Sequence, residues 1–250
     1  MTTRFHSRLG IQTYGFRNFP MHAQVIEMSK ACGVDKIELC QTHFDPTKDD
    51  GAAVLAEYAN GGITITAFFA FTAIGEDERT DRSVFEFAKL AKLPSVVGDV
   101  APTKLTEADK LATEYGIKIA IHNHGRHHHH GSMEALEKLF SKVSPSVGLC
   151  LDTAWALDSG IDPLEFAQGF RERLYGIHIK DFVFDSAGEP REVVVGTGDL
   201  DLDGINRYLI ETKFDGFYTL EYEEDADNPV PVTKQCVEAI RASLARIGDG

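Results

Sequence analysis

The sequence predicts a (β/α)8 barrel formed by a single domain. Strand-like and helix-like segments alternate along the whole chain, which indicates a parallel sheet with helices outside it. There are eight such units in 250 residues, and a unit of about 31 residues suits a closed barrel. No G-x-G-x-x-G follows the first strand-like segment, which counts against an open, doubly wound sheet. No linker divides the chain, so residues 1–250 are predicted to form one domain.

Each predicted strand is a short run rich in apolar, β-branched or aromatic residues. The clearest is Ile63–Phe71, because it follows the chain breaker Asn60-Gly61-Gly62. The eight predicted strands are Arg8–Tyr14, Asp35–Cys40, Ile63–Phe71, Ser95–Val100, Ile117–His122, Val147–Asp152, Tyr175–Lys180 and Phe217–Glu221.

The predicted helices are recognised by their apolar period and by their end signals. Arg79–Ala91 places apolar residues at i, i+3, i+4 and i+7, the spacing of one helix face. Ser132 suits an N-cap, Pro163 suits a first helical position, and Gly116 suits a helix end. The eight predicted helices are His22–Cys32, Gly51–Ala59, Arg79–Ala91, Thr106–Tyr115, Ser132–Val143, Asp162–Leu174, Asp203–Thr212 and Val232–Ile247.

Charge and hydropathy exclude several classes of function. The chain has 25 Lys plus Arg against 39 Asp plus Glu, a net charge of −14, and no Lys/Arg-rich block. Such a chain repels phosphate, so we expect neither nucleic acid nor an anionic membrane as a partner. The longest uncharged runs, such as Gly61–Gly75, are broken by Thr and Gly, and Met1–Gly10 has no apolar stretch. We therefore expect a cytoplasmic protein whose four cysteines are reduced.

Polar side chains gather where the predicted strands end, and barrel active sites lie at those ends. The strand-end residues are Glu38, His122-Asn123-His124, Asp152, His178-Ile179-Lys180-Asp181 and Glu221. Imidazoles and carboxylates are costly to bury unless they are paired or bound to metal. Together they suit a divalent ion such as Mn, Co, Zn, Ni or Fe, with open positions for substrate.

The same residues carry a family resemblance that covers nearly the whole chain. The motifs are Gly10-Ile-Gln-Thr-Tyr-Gly-Phe-Arg17, Ile37-Glu-Leu39, Ile119-Ala-Ile-His-Asn-His-Gly125, Gly148-Leu-Cys-Leu-Asp-Thr153, His178-Ile-Lys-Asp181, Gly196-Thr-Gly-Asp199 and Leu220-Glu-Tyr-Glu223. In this order and at these strand ends, they resemble the xylose isomerase-like TIM barrel superfamily, in particular its sugar phosphate isomerase/epimerase family.

The resemblance implies one divalent metal ion, Mn, Co, Zn, Ni, Fe or Mg, held by residues at the ends of strands five to eight. The family's usual set is Glu, Asp, His and Glu, of which the last three fall on Asp152, His178 and Glu221. The first falls on His122, with His124 as the alternative ligand. In the family's epimerases two metal-bound glutamates work on opposite faces of the sugar. Because His122 replaces one of these glutamates, the resemblance favours elimination more than it otherwise would. Inosose dehydratases of the same superfamily also have a His-rich segment at this point, which favours elimination as well.

The resemblance also implies proton abstraction next to a carbonyl, and this assigns expected roles. Glu221 is the candidate base, and Lys180 is a cationic donor for an oxyanion. His124 and Glu38 are expected to bind hydroxyls or to supply a second proton-transfer group. Asp181 is expected to orient Lys180 or a metal-bound histidine near the substrate.

Other motifs have two interpretations each. Trp155 is predicted to wall the sugar pocket or to lie in a subunit contact. His43 is predicted to contact substrate, or else to be a solvated loop residue. The run His127–His130 is predicted to be a flexible, solvated loop that binds metal adventitiously. Gly196-Thr-Gly-Asp199 is a phosphate nest or, more simply, a turn.

Three functions follow from these expectations. The leading one is a metal-dependent isomerase or epimerase acting on a small polyhydroxy carbonyl compound, a sugar or sugar phosphate, through an enediolate. The first alternative is a metal-dependent lyase or dehydratase acting on a keto-sugar, keto-inositol or 3-keto-glycoside. The second is a non-catalytic sugar-binding or partner subunit. Because barrels of this family often form dimers or tetramers, a homo-oligomer is also expected.

Overall fold

Eight of the strands are parallel and close into a barrel. The computed structural model describes residues 5–248. Its strands are β1 Leu9–Gln12, β2 Lys36–Cys40, β3 Thr64–Phe69, β4 Ser95–Gly98, β5 Lys118–His122, β6 Val147–Asp152, β7 Leu174–Ile179, β8 Phe182–Phe184, β9 Pro190–Glu192 and β10 Phe217–Leu220. The barrel order is β1-β10-β7-β6-β5-β4-β3-β2. The predicted single-domain (β/α)8 barrel is confirmed, because every barrel strand pairs with its neighbours in parallel.

Helices surround the barrel and begin and end at the kinds of residue that the sequence signals indicate. They are α1 His22–Ala31, α2 Gly51–Asn60, α3 Glu78–Leu90, α4 Leu105–Tyr115, α5 Met133–Phe140, α6 Thr153–Asp158, α7 Pro163–Gly169, α8 Leu202–Glu211 and α9 Val230–Arg246. The Ser132 side chain caps α5 by accepting the Ala135 N–H, and Pro163 opens α7. Gly116 ends α4 at φ 65°, in the left-handed region that glycine adopts most easily.

Two elements were not anticipated from the sequence, and both follow strands that carry polar ends. Helix α6 begins directly after β6, because the Asp152 side chain accepts the Trp155 N–H and so caps it. The β8–β9 hairpin lies between β7 and α8 and pairs Phe182 with Glu192. Six- and three-residue elements are too short to show a period in the sequence. The first strand is also shorter than predicted, since Thr13–Phe16 forms a 3-10 turn.

The barrel interior has two layers, which follow from the two-residue period of a strand. Small and aromatic side chains fill the lower layer, namely Ala67, Val97, Ala120, Cys150, Tyr175 and Phe217. Two residues beyond Ala120 and Cys150, and four beyond Phe217, the same face carries His122, Asp152 and Glu221. Gly176 is required in this packing, because a Cβ there would lie 1.8 Å from the Phe217 ring. The two-residue period of the strands therefore places the polar side chains in a layer directly above the layer of apolar side chains.

The four cysteines are buried free thiols, in agreement with the sequence interpretation. Burial raises the pKa of Cys150 to about 12, so this thiol stays protonated beneath the polar layer. Within residues 5–248, the structure contains no helix that is both long enough and apolar enough to cross a membrane.

Asp81 near the start of α3 gives a prediction about pH-dependent stability. It is 2% exposed and accepts the Gly75 N–H at 2.8 Å. Burial, together with the charges of Asp77, Glu76 and Glu78, raises the pKa of Asp81 to about 6. Between the unfolded pKa and this value, only the unfolded chain releases the proton, so stability falls as pH rises. We expect Asp81→Asn to be more stable than wild type by up to about 2 kcal/mol above pH 6, with the gain vanishing toward pH 4.

Urea unfolding of both proteins at several pH values measures this gain. Glu137→Gln is the control, because Glu137 is an exposed carboxylate on α5 and is not among the charges that act on Asp81. A gain that is the same at pH 4.5 and pH 7.5, or that the control reproduces, would contradict the prediction.

Candidate metal centre

Four side chains converge at the carboxyl ends of neighbouring strands. They are His122 from β5, Asp152 from β6, His178 from β7 and Glu221, which directly follows β10. One ligand-type atom from each lies within 4.8 Å of the others. All four residues are at most 4% exposed, and the register of β6 on β7 sets Asp152 beside His178. The structure thus brings together the four residues predicted as metal ligands, while His124 is not among the four.

The separations and bonding of these atoms fit a metal ion. His122 Nε2 lies 3.6 Å from both Asp152 Oδ2 and Glu221 Oε2, and His178 Nδ1 lies 2.5 Å from Glu221 Oε2. Two ligands bound at about 2.1 Å in a tetrahedron are about 3.4 Å apart. Among the described residues, both ring nitrogens of His122 and Asp152 Oδ2 have no hydrogen-bond partner. Since buried polar atoms are normally satisfied, these atoms fit the role of metal ligands.

Surrounding residues orient three of the four side chains, namely His178, Asp152 and Glu221. His178 Nε2 lies 2.8 Å from Glu38 Oε2, and because a carboxylate accepts, the Nε2 proton donates there and Nδ1 faces the group. Asn123 holds the end of β6 by accepting the Asp152 N–H at 2.7 Å and donating to its carbonyl at 3.2 Å. Gln12 Nε2 donates to Glu221 Oε2 at 3.1 Å. The geometry is thus fixed before any ion binds.

The charges of the group are also set by its neighbours. Burial lowers the pKa of His178, but the Glu38 and Glu221 carboxylates outweigh it and hold that pKa well above the usual value. Burial raises the pKa of Glu221, but Lys180 and His178 reverse this and hold it well below its usual value. A metal must therefore displace protons from imidazole to bind, and we expect affinity to weaken as pH is lowered.

Lys180 forms a second buried cluster against the same glutamate. Its Nζ lies 3.3 Å from Glu221 Oε1 and 3.9 Å from Glu192 Oε1, and it donates to Glu223 Oε1. Burial lowers the pKa of Lys180, but Glu221, Glu192 and Asp152 raise it well above the usual value, so the ammonium persists. Burial raises the pKa of Glu192 to about 8. The two oxygens of Glu221 therefore have different neighbours: Oε2 faces the other three ligand residues, and Oε1 faces the Lys180 ammonium.

A cavity of about 390 Å³ opens above the group. His122 and Glu221 form part of its wall, and so do the predicted site residues His124 and Trp155. His124 is half-buried, and burial together with His122 and His128 lowers its pKa to about 3, so its imidazole is neutral. The lining also contains Gln12, Tyr14, Phe69, Ala70, Phe71, Asp99 and Glu223. A space of this size with polar groups at its floor suits a small polar ligand.

Glu38, His43 and Asp181 do not line this cavity, and their predicted role in substrate binding remains a prediction. Glu38 is fully buried behind His178. His43 is neither solvated nor exposed: it is 6% exposed, and its ring nitrogens lie 3.2 Å from Thr13 Oγ1 and 3.3 Å from the Phe16 carbonyl oxygen.

Asp181 fills the backbone nest that the sequence offered as a phosphate site. Its Oδ2 accepts the N–H groups of Gly196 at 2.9 Å and Gly198 at 2.8 Å, and its Oδ1 accepts that of Leu200 at 3.0 Å. The carboxylate is fully buried. The loop is therefore a turn that folds around an anion of the chain itself, and Asp181 does not contact Lys180 through these bonds.

Sequence reasoning missed Gln12, Asn123, Glu192 and Glu223 as parts of the site. Asn123 lies between two singled-out histidines, and Gln12 belongs to a quoted motif, so strand-end position was an available signal for both. Glu192 lies on the unanticipated hairpin, where no sequence signal was available.

Glu38 supports the orientation of His178, and its replacement gives a further prediction. Glu38→Gln keeps the size of the side chain but removes the charge that fixes the Nε2 proton of His178. We expect metal affinity to fall by about 10- to 100-fold, as is typical when a carboxylate behind a ligating histidine is lost. Competition titration with a chromophoric chelator measures the metal affinity of the variant. The exposed Glu27 on α1, changed to Gln, is the control. Equal affinities for the two variants would contradict an orienting role.

Fold and site together define a (β/α)8 barrel with a buried His2AspGlu group at its mouth. Comparison with known families matches residues 99–243 to the xylose isomerase-like TIM barrel family. The chain belongs to this family, which supports its being an enzyme.

Known proteins similar to the chain include two bacterial ones. The rhizopine catabolism protein MocC of Rhizobium meliloti is 28% identical over 148 residues, covering 52% of this chain and 44% of that protein. An inosose dehydratase of Clostridium tetani is 26% identical over 147 residues, covering 51% of this chain and 48% of the relative. The chain thus spans about half the length of the curated relatives it matches.

Solved structures agree on the fold. The IolI protein with a bound zinc atom superposes with a TM-score of 0.69 at 20% identity, covering 96% of this chain and 97% of that one. At this identity the similarity establishes the barrel alone.

Proposed function

We propose that the protein is a divalent-metal-dependent lyase that eliminates water from a small keto-polyol, such as a keto-inositol. The observation that carries this proposal is the position of Lys180. Its Nζ lies 3.3 Å from Glu221 Oε1, while Glu221 Oε2 faces the ligand group. Glu221 lines the cavity and Lys180 lies directly behind it, so a base and a proton donor stand side by side. Elimination needs both at neighbouring atoms of one substrate.

His122, Asp152, His178 and Glu221 would hold the metal, since one buried ligand-type atom of each lies within 4.8 Å of the others. A bound divalent ion supplies Lewis-acid stabilisation of a substrate carbonyl oxygen as negative charge develops on it. Two imidazoles and two carboxylates suit Zn, Mn, Co, Ni or Fe better than Mg, which prefers oxygen ligands alone.

The chain's own groups carry the protons in this proposal. Glu221 takes the proton from the carbon next to the carbonyl, and the Lys180 ammonium gives a proton to the hydroxyl that leaves as water. The carbon–oxygen bond breaks, and its electron pair leaves with the hydroxyl, while the electrons of the broken C–H bond form the new double bond. Direct contact between the two groups lets Glu221 return its proton to Lys180. Both groups are then restored, and no oxidant or reductant is needed.

Similarity to an inosose dehydratase, along 48% of the length of that protein, supports this choice. The ligand set supports it as well, because only one glutamate belongs to the group. An epimerase of the kind implied by the family resemblance uses two.

Isomerisation or epimerisation is the second candidate, and one observation favours it. His124 is a half-buried neutral imidazole that lines the same cavity as Glu221. A proton taken by one group and returned through the other would invert or move a centre rather than eliminate water. The ring of His124 lies 4.7 Å from that of His122, close enough to reach the same small substrate.

One experiment separates the candidates. Protein loaded with Zn, Mn or Co is incubated in D2O with a keto-inositol and with several ketohexoses. Ultraviolet absorbance of a new conjugated carbonyl reports elimination, and mass spectrometry of recovered substrate reports deuterium uptake. We expect absorbance to rise with a keto-polyol, and to do so in the metal-loaded protein only.

The possible results distinguish the candidate functions. Deuterium uptake or a new sugar without absorbance would replace the lyase with the isomerase. Binding without either change, in fully metal-loaded protein, would overturn both and leave the sugar-binding subunit. Loss of elimination in Lys180→Met with deuterium uptake retained would identify Lys180 as the acid of the pair.

A further inference from the structure

A second group of metal-type side chains lies outside the buried His2AspGlu group. Asp99 follows β4, and His129 and His130 belong to the loop between β5 and α5. Their ligand-type atoms, like those of the first group, lie within 4.8 Å of one another. The loop was predicted to be solvated and flexible, but His130 is 1% exposed and packs against Asp99. At this residue the sequence interpretation was wrong.

Distances within the second group suit coordination of an ion. His130 Nε2 lies 2.8 Å and His129 Nε2 lies 3.3 Å from Asp99 Oδ1. His128 Nε2 lies 3.6 Å from the other oxygen, Asp99 Oδ2. These values bracket the separation of about 3.4 Å between two ligands of a tetrahedral ion. Three imidazole nitrogens around one carboxylate form a donor set for a borderline-soft divalent cation.

The backbone fixes this group, which distinguishes it from a freely moving histidine run. The loop turns back on itself through His128 N–H to the Gly125 carbonyl at 2.9 Å and Gly131 N–H to the His128 carbonyl at 3.0 Å. His130 Nε2 also lies 3.1 Å from the Val100 carbonyl oxygen, which is a further oxygen donor beside Asp99. Gly131 has no room for a side chain, because a Cβ would lie 2.2 Å from the Gly125 oxygen.

The second group faces the same cavity as the first. Asp99 lines the cavity wall together with Glu221. Between the two groups stands His124, whose ring lies 4.7 Å from that of His122 and 4.5 Å from that of His128. Two cations bound by these groups would thus lie close to the same small space.

We propose that Asp99, His129 and His130 form a second divalent-metal site, with His128 beside it. Its remaining coordination positions take oxygen donors of a small cavity ligand, a hydroxyl or a carboxylate. The net charge of −14 favours cations at this mouth in general, whereas the site itself depends on Asp99. This inference concerns metal binding alone, so it stands or falls independently of the lyase reaction.

The test is a metal titration of the full chain, purified without an affinity column and stripped with chelator. Calorimetry and the visible absorption of Co2+ report how many ions bind and in which surroundings. We expect two equivalents in wild type and one in His129→Ala, which removes a partly exposed side chain and should fold normally. Asp99→Asn should weaken the same equivalent by about 100-fold or more, since it removes a direct ligand. Asp152→Asn should weaken the other equivalent only.

His127→Ala is the matched control, because this exposed histidine of the same loop is not part of the group. It should keep both equivalents. If His127→Ala weakens the second equivalent as much as His129→Ala does, or if Asp99→Asn leaves it intact, the loop binds ions as an unstructured run and the proposal fails. A single equivalent in wild type, lost in Asp152→Asn, would overturn it equally.

Discussion

Replacing Glu221 with Gln is expected to abolish most of the activity of the protein and to weaken metal binding strongly. Gln keeps the volume but loses the charge, and so removes a metal ligand and the proposed base in one step. We expect the Kd for metal to rise by about 100-fold or more, and turnover at saturating metal to fall by about 10²- to 10⁴-fold. Titration with Co2+ and the elimination assay at matched metal occupancy measure the two effects separately.

Glu224→Gln is the control, because Glu224 is exposed and three residues further along the chain. It should bind metal and turn over like wild type. Turnover of Glu221→Gln within threefold of wild type, at full metal occupancy, would exclude Glu221 as the base and would direct attention to His124.

Replacing Lys180 with Met is expected to produce the largest loss of stability. Lys180 is 2% exposed and faces the carboxylates of Glu221, Glu192 and Glu223. Removing one partner of a buried charge pair costs about 3–5 kcal/mol, because the other charge stays buried without compensation. Protonation of Glu192, whose pKa is already raised to about 8 by burial, would reduce this cost. Urea unfolding measures the loss.

The double variant Lys180→Met, Glu192→Gln tests this explanation. It should regain part of the lost stability, since it removes one of the uncompensated carboxylates. Lys234→Met, at an exposed position on α9, is the control for loss of a lysine. A Lys180→Met variant as stable as this control would show that the ammonium does not balance the buried carboxylates.

The barrel and its four metal-type ligands could be predicted because parallel strands place their carboxyl ends together. Each of His122, Asp152, His178 and Glu221 stands at or just past a strand end, and a period of two turns all four inward. Strand-end position alone indicated a wider set of polar residues, and the resemblance to the xylose isomerase-like family singled out these four. The half-buried Trp155 and His124 line the cavity, which agrees with one of the two interpretations of Trp155, and their contact with a substrate stays a prediction.

Residues brought in by irregular backbone could not be predicted in this way. Glu192 reaches Lys180 from a three-residue strand of a hairpin, which has no readable period. Likewise, four consecutive histidines have no period at all, and composition alone indicated a solvated loop. Only the turn at Gly131 and the contact with Asp99 decide that His130 is buried. The hairpin and the loop turn therefore determine the positions of Glu192 and His130, which hydrophobic patterning does not predict.

The carboxylate of Asp181 has a consequence for substrate choice. It already occupies the N–H groups of Gly196, Gly198 and Leu200, so an incoming phosphate would have to compete with an anion covalently tethered at the same spot. Because the Asp181 carboxylate is tethered to the chain, its local concentration at the nest is constant. A phosphate would displace it only with the help of additional cationic partners. At this loop the chain therefore keeps its own anion in place, and the nest offers no vacant N–H group to the phosphate of a sugar.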